Sequence, residues 1–282
     1  KDDITDNSIN EDTTEDTDTA IVSEVNIFSI LEPFSIIMSL LTIKNEDKCE
    51  FSEMYELIKF DKDLNNILLY QIKMWWGQDI KLEDIERTIR IFSRYLKLPQ
   101  CEQTSNMIKI IKTLLVENIY NRKELAKLID NYLRVQQLEK KESAEVTTPY
   151  KCRQEMLDTI PEEFWTYTKK ILEPCSGKCG FILDIIDRLM DGLKDEIDDE
   201  KERYRTIIEE MLYFSDINPT NIFIAKLLTD PYNEYQLNYN IGNTLELDIT
   251  QTTSTWKGIE KFDAVIGNPP YVRVQHLPHM EI

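Results

Sequence analysis

Apolar residues recur at three- and four-residue spacing in FSEMYELIKF, LNNILLYQIKMWW, LEDIERTIRIFSRYLKL, TSNMIKIIKTLLVENIY and RKELAKLIDNYLRVQQL. That is the pattern of helices that bury one face each. After Pro33 only Gly77 and Pro99 interrupt it strongly, so residues 25–145 are expected to form an all-α domain, a bundle of roughly five to seven helices. From Val146 the pattern changes. VTTPY reads as extended, KCRQEMLDTI as a helix, and Ile171 and Leu172 as the end of a short strand. The loop EPCSGKCG follows, then an amphipathic helix from Phe181 that runs on through the charged stretch DEIDDEKERYR. Met211 to Ser215 is the second expected strand, Pro219 opens another helix, YNIGNTLEL is the third pairing element and Phe262 to Ile266 the fourth. Strands alternating with helices predict an α/β fold with a parallel sheet. The strands would present their C-terminal ends at Glu173, Asp216, Asn243 and Asn268, along the edge where open α/β sheets bind ligands.

The residue types at those ends carry the chemistry. Gly267 ends the fourth strand and Asn268-Pro269-Pro270-Tyr271 follows. Two prolines fix φ and remove two N–H donors, so the turn offers carbonyl oxygens without competing donors. Asn268 adds an amide carbonyl and Tyr271 a flat aromatic face, a cup for a planar group bearing an exocyclic amine. The alternative is an ordinary strand-ending turn. The tetrapeptide arises by chance in roughly one chain in a thousand of this length, which favours the functional reading. Asp216 stands where a carboxylate accepts from both hydroxyls of a ribose. Gly177 and Gly180 let backbone approach a ligand closely. Thr148 and Pro149 precede a helix whose free N–H groups can attract an anion, although taken alone they read first as a good helix start. The Gly177-Lys178 pair is not a phosphate loop, because Leu172 and Cys179 stand where that loop needs Gly and Ser or Thr.

Charge modifies this picture. The 282 residues carry a net charge of −19, distributed as −8 over residues 1–24, −1 over 25–145 and −10 over 146–282. No segment is basic, which argues against nucleic-acid binding by the surface as a whole. Residues 1–24 read as a disordered acidic tail. Arg122, Lys123, Lys127, Arg134, Lys140 and Lys141 are either phosphate contacts or, more commonly for such residues, a solvated helix face; Trp75 and Trp76 are core or contact surface. The five cysteines form no CxxC pair and only His276 and His279 accompany them, so no metal site is expected. The apolar run from Phe28 contains Glu32 and Pro33 and is too short to span a bilayer, and no basic segment precedes it. A soluble, intracellular protein is the expectation.

With the four strand ends in place, residues 146–275 resemble the S-adenosylmethionine-dependent adenine-N6 DNA methyltransferases of the gamma arrangement, found in type I and fused type II restriction–modification enzymes. The resemblance implies a Rossmann-like methyltransferase fold over residues 146–282, its sheet C-terminally incomplete, preceded by the helical domain. It implies S-adenosylmethionine as cofactor, no metal, and DNA as partner with the target adenine flipped out, served by a downstream target-recognition region or a partner subunit. By position, Thr148 and Pro149 match the motif holding the cofactor's methionine carboxylate. Glu173-Pro174 and Gly177 match the cofactor loop, with Phe181 as its following aromatic. Asp216 matches the ribose acid, Ile217 lies beside the cofactor adenine, and Asn243 replaces an Asp that binds the adenine amine. Asn268, Pro269, Pro270 and Tyr271 match the catalytic motif. Cys179 departs from the pattern at the second Gly of the loop; its side chain is expected to crowd the cofactor unless Gly180 absorbs the turn. Two other readings remain: methylation of a protein glutamine or an RNA amine by the same motif, and a catalytically silent cofactor- or partner-binding module.

Overall fold

A computed structural model describes residues 31–76, 81–99, 102–133, 146–248, 256 and 259–270. The acidic segment 1–24 and Tyr271 lie outside these residues. Six helices occupy the described part of the N-terminal half: α1 Leu31–Leu41, α2 Phe51–Phe60, α3 Lys62–Trp76, α4 Leu82–Tyr95, α5 Glu102–Glu117 and α6 Arg122–Tyr132. Every residue of α1 except Glu32 is buried, as befits a helix apolar on all sides. The rings of Phe34, Phe51 and Phe92 cluster beside it, with centroids 5.4 to 6.2 Å apart. Trp75 is buried in the same core.

Lys112 of α5 reaches across to the end of α1. Its Nζ donates to the Ser39 carbonyl at 3.2 Å, the Thr42 hydroxyl at 3.0 Å and the Thr42 carbonyl. These carbonyls lie at the C-terminal end of α1, and a cation suits the negative end of the helix dipole. Burial lowers the Lys112 pKa from 10.5 to about 8. The unfolded chain therefore binds more protons between those values, and stability from this group rises with pH from about 8 to 10.5. Lys112→Met is expected to lose about 1–3 kcal/mol near neutral pH and to abolish that rise. Urea denaturation across the alkaline range reads both effects.

The second half contains α7 Tyr150–Leu157, a 3-10 turn Glu162–Thr166, β1 Ile171–Glu173, α8 Gly180–Gly192, α9 Glu200–Thr206, a π turn Ile207–Met211, β2 Leu212–Asp216, α10 Pro219–Thr229, β3 Asn238–Ile241 and β4 Ala264–Val265. The strands form one sheet in the order β3-β2-β1-β4, every pair parallel. Leu172 pairs with Tyr213 on one side and Val265 on the other. Because β1 is followed outward by β2 and β3, and β4 returns to its far side, the order reverses between β1 and β4. A crevice opens at such a reversal, outside the carboxyl ends of the strands.

One face of the sheet, with Ile171, Leu212 and Phe214, packs on Ile182, Ile185 and Leu189 of α8 and Ile222, Ala225 and Leu228 of α10. This apolar core is continuous with that of α1–α6. The other face, with Leu172 and Tyr213, is covered by Trp256, Ile259 and Phe262. The Tyr213 ring meets Trp256 and Phe262 edge-on at 5.7 and 5.3 Å.

The charged stretch after α8 does not continue that helix. Gly192 ends it against the backbone of Trp165, where a Cβ would lie 2.3 Å from the carbonyl oxygen. Asp199 then caps α9, its side chain accepting from the Glu202 N–H at 2.7 Å. Met211 belongs to the π turn, so β2 begins one residue later than the apolar run suggests. β3 ends at Ile241, and Thr244–Glu246 form a 3-10 turn rather than strand.

Of the basic residues named above, Arg122 covers the Tyr204 ring at 4.5 Å, Lys123 pairs with Asp187 at 2.8 Å and Lys127 with Glu124 at 2.5 Å. They join the helical segment to the α/β part or solvate α6. Arg134, Lys140 and Lys141 lie outside the described residues. Among the described residues no helix is long and apolar enough to cross a membrane.

Candidate functional site

The site begins where β1 ends. Glu173 is 1% exposed, its Oε1 accepts from the Cys175 N–H at 3.2 Å, and its buried Oε2 has no hydrogen-bond partner. Burial, helped by the charge of Asp216, raises the carboxyl from 4.5 to about 8, so it is neutral at pH 7. Burial likewise pushes the Cys175 thiol up to about 12, keeping it unreactive. The backbone after β4 runs directly over the Glu173 carboxyl: a Cβ on Gly267 would lie 2.2 Å from Oε1. A strand end and a buried acid therefore fit together only because residue 267 has no side chain.

The loop after Glu173 folds back toward β2. The Ser176 N–H donates to the Ser215 carbonyl at 2.9 Å and the Gly177 N–H to Asp216 Oδ2 at 2.8 Å. Gly177 has φ +49°, and nothing lies within 4 Å of where its Cβ would be, so the loop's outer side is open. Cys179 corrects the expectation for this loop. The residue itself takes the left-handed conformation, φ 74°, and Gly180 instead begins α8 with ordinary helical geometry. A left-handed non-glycine residue costs about 1–2 kcal/mol. Here the cost is offset by burial, since the side chain is wholly enclosed in the core and does not line the cavity beside Gly177. The thiol does not crowd that cavity.

Asp216 ends β2 and is 8% exposed. Besides Gly177, it accepts through Oδ1 from the Asn218 N–H at 2.8 Å and Asn221 Nδ2 at 3.3 Å. Burial raises its carboxyl above the ordinary value despite these donors. Oδ2 accepts from the Gly177 N–H and, as a carboxylate oxygen with two lone pairs, keeps acceptor capacity. Ile217 follows with 58% of its surface exposed, an apolar side chain at the strand end. Asn243 is exposed and its amide serves its own turn: Oδ1 accepts from the Leu245 N–H at 3.1 Å and Nδ2 donates to Glu246 at 2.9 Å. The neighbouring Thr244 ties this turn to the β1 loop, donating to the Pro174 carbonyl at 2.6 Å.

Beyond β4, Asn268 is half-buried and its Nδ2 donates to Thr148 Oγ1 at 3.0 Å, joining residues 120 positions apart. The Thr148 carbonyl in turn accepts from Arg153 Nη1 at 2.7 Å, and Arg153 Nε pairs with Asp184 at 2.6 Å. The guanidinium lies flat against Gly180, where a Cβ would be 2.7 Å from Cζ. Thr148, Arg153, Ser176, Gly177, Lys178 and Asn268 line one cavity. Pro149 is the N-cap residue of α7, Phe181 is buried at the cavity wall, and Pro269 and Pro270, which follow Asn268, are exposed. Arg153, Asp184 and Thr244 were not singled out by sequence reasoning. A buried arginine on α7 has no local signature, because its partners come from α8 and from the segment before its own helix.

The strand ends thus bring Glu173, Gly177 and Asp216 together on one side of the reversal, and Thr148 and Asn268 close the other. Asn243 stands off, engaged in its own turn. The assembly offers a carboxylate with acceptor capacity, an orphaned buried carboxyl oxygen, a buried Ser176 hydroxyl without a partner and an open glycine backbone. Such a set suits a ligand carrying hydroxyls and a cationic group. Among the described residues no three His, Cys, Asp or Glu side chains are grouped to hold a metal ion. No curated protein and no solved structure matches the chain. The family model described as Eco57I restriction-modification methylase matches residues 34–281. On this match the chain belongs to the Eco57I restriction–modification methylase family, a family of DNA methyltransferases.

Proposed function

We propose that the protein transfers a methyl group from S-adenosylmethionine to the exocyclic N6 amine of adenine in DNA, on a Rossmann-like methyltransferase sheet. The observation that carries this reading is the meeting of Asn268, from the end of β4, with Thr148 and the Gly177 loop around one cavity at the sheet's reversal point. The residues fit the cofactor. Asp216 has acceptor capacity for a ribose hydroxyl, Glu173 and Ser176 hold buried polar atoms without partners, and the face of Gly177 is open. Thr148 and Pro149 would hold the methionine carboxylate, Pro174 shapes the loop, and Ile217 would flank the cofactor adenine with Asn243 at its edge. When bound, S-adenosylmethionine supplies an electrophilic methyl carbon on a sulfonium that leaves as a neutral thioether.

The chain's own task is to make an unreactive amine react. The lone pair of an aromatic amine is delocalised into its ring. Asn268 Oδ1 and the Pro269 carbonyl accept its two N–H bonds, which draws the nitrogen toward a tetrahedral shape and aims the lone pair. Pro270 keeps that carbonyl free of a competing N–H. Tyr271, outside the described residues, would stack on the flipped base, a contact worth about 1–3 kcal/mol.

A tritiated-methyl assay offering duplex DNA, RNA and protein side by side tests the acceptor. Label is expected in DNA, at adenine N6. Label in protein glutamine or in RNA would reject the DNA-adenine reading in favour of the same chemistry on another amine.

A further inference from the structure

We infer that Thr148 is a positioning residue for the Asn268 amide, holding its carbonyl oxygen toward the substrate amine. An asparagine side chain has two faces of opposite polarity on nearly the same shape. Only its oxygen can accept from an amine; turned over, it would set N–H against N–H. Thr148 Oγ1 is the atom that the amide nitrogen meets. It accepts from Nδ2 at 3.0 Å, leaving the carbonyl oxygen on the other arm of the amide.

Thr148 is itself fixed. Its carbonyl is held by Arg153, whose guanidinium is clamped by Asp184 and lies on the Gly180 backbone at the start of α8. Arg153 is 8% exposed, so neither bond is diluted by water. The chain Asp184–Arg153–Thr148–Asn268 therefore transmits the position of the β1 loop and its helix to the amide beyond β4. The threonine hydroxyl accepts with its oxygen and keeps its own proton to donate. One side chain can therefore serve the catalytic amide and a bound anion together. The functional half of this inference rests on the proposed role of Asn268; the contact itself does not.

The experiment compares Thr148→Val, which keeps the shape and removes the hydroxyl, with Thr148→Ser, which keeps the hydroxyl. In protein labelled with 15N-asparagine, the Asn268 side-chain amide is assigned from its loss in Asn268→Asp. Thr148→Val is expected to move that amide upfield and speed its proton exchange about tenfold, whereas Thr148→Ser stays near wild type. The methyl-transfer rate constant should fall about tenfold or more in Thr148→Val and recover in Thr148→Ser, beyond any change in cofactor affinity measured by calorimetry. An Asn268 amide unmoved by Thr148→Val would overturn the inference, as would a variant losing cofactor affinity alone. An amide moved by Thr148→Val, together with a wild-type protein that transfers no methyl group, would uphold the contact and reject the proposed function.

Discussion

Asp216→Ala is expected to weaken S-adenosylmethionine binding about a hundredfold, since hydrogen bonds to a charged acceptor contribute roughly 1.5–3 kcal/mol each. The residue has two tasks. Toward the cofactor it would accept from ribose. Toward the protein it holds the Gly177 N–H at 2.8 Å and the Asn218 N–H at 2.8 Å, which fastens the β1 loop to the end of β2. Alanine leaves both donors without their acceptor, so a stability loss of about 1–3 kcal/mol should accompany the binding defect. Asp216→Asn keeps the acceptor on the Oδ1 arm and loses it on the arm that faces Gly177. Its oxygen can still cap Asn218, but its NH2 then faces the Gly177 N–H, donor against donor, and the loop loses its anchor. Calorimetric titration, with thermal melting of each variant, measures both quantities. Wild-type affinity in Asp216→Ala would remove Asp216 from the cofactor site.

The second large effect lies one strand away. Gly267→Ala would place a methyl group 2.2 Å from Glu173 Oε1 and 2.8 Å from Cδ. A surface glutamate would swing aside, but this one is 1% exposed with the core behind it. Overpacking of this kind costs about 1–3 kcal/mol. Glu173→Asp withdraws the carboxyl by one methylene, so the double variant should be more stable than the sum of the two single changes predicts, by about 1 kcal/mol. Additive losses would mean that the two residues do not press on each other. The same acid gives stability a pH dependence. Glu173 titrates near 8 when folded against 4.5 in its ordinary state, so the folded chain binds more protons between those values. Stability is then lost as pH rises from about 4.5 to 8. Glu173→Gln should flatten that decline, which urea denaturation through this pH range would detect.

Much of the site was legible along the chain. The run Phe262 to Ile266 followed by Asn268-Pro269-Pro270 identifies a strand end with acceptor groups, and Asp216 follows an apolar run that can only be buried. Four such ends in one parallel sheet must share an edge, so the linear motifs point to one place on the fold. Element limits were less legible. The charged stretch after α8 has helical periodicity throughout, and its break depends on Gly192 meeting the Trp165 backbone, a contact made by a segment earlier in the chain. Asn243 shows a similar limit: its position at a strand end is local information, whereas the engagement of its amide with Leu245 and Glu246 depends on the turn it caps.

The sequence by itself determined that helices precede an alternating strand-and-helix unit, and which residue types stand at the strand ends, because periodicity and turn chemistry are properties of neighbouring residues. Tertiary structure alone decided the order β3-β2-β1-β4, the inward turn of the Cys179 side chain, the fit of Gly267 over Glu173, and the bond between Thr148 and Asn268. Each depends on where strand registers and helix axes bring groups separated by tens of residues, and a difference of one ångström there separates a hydrogen bond from a clash.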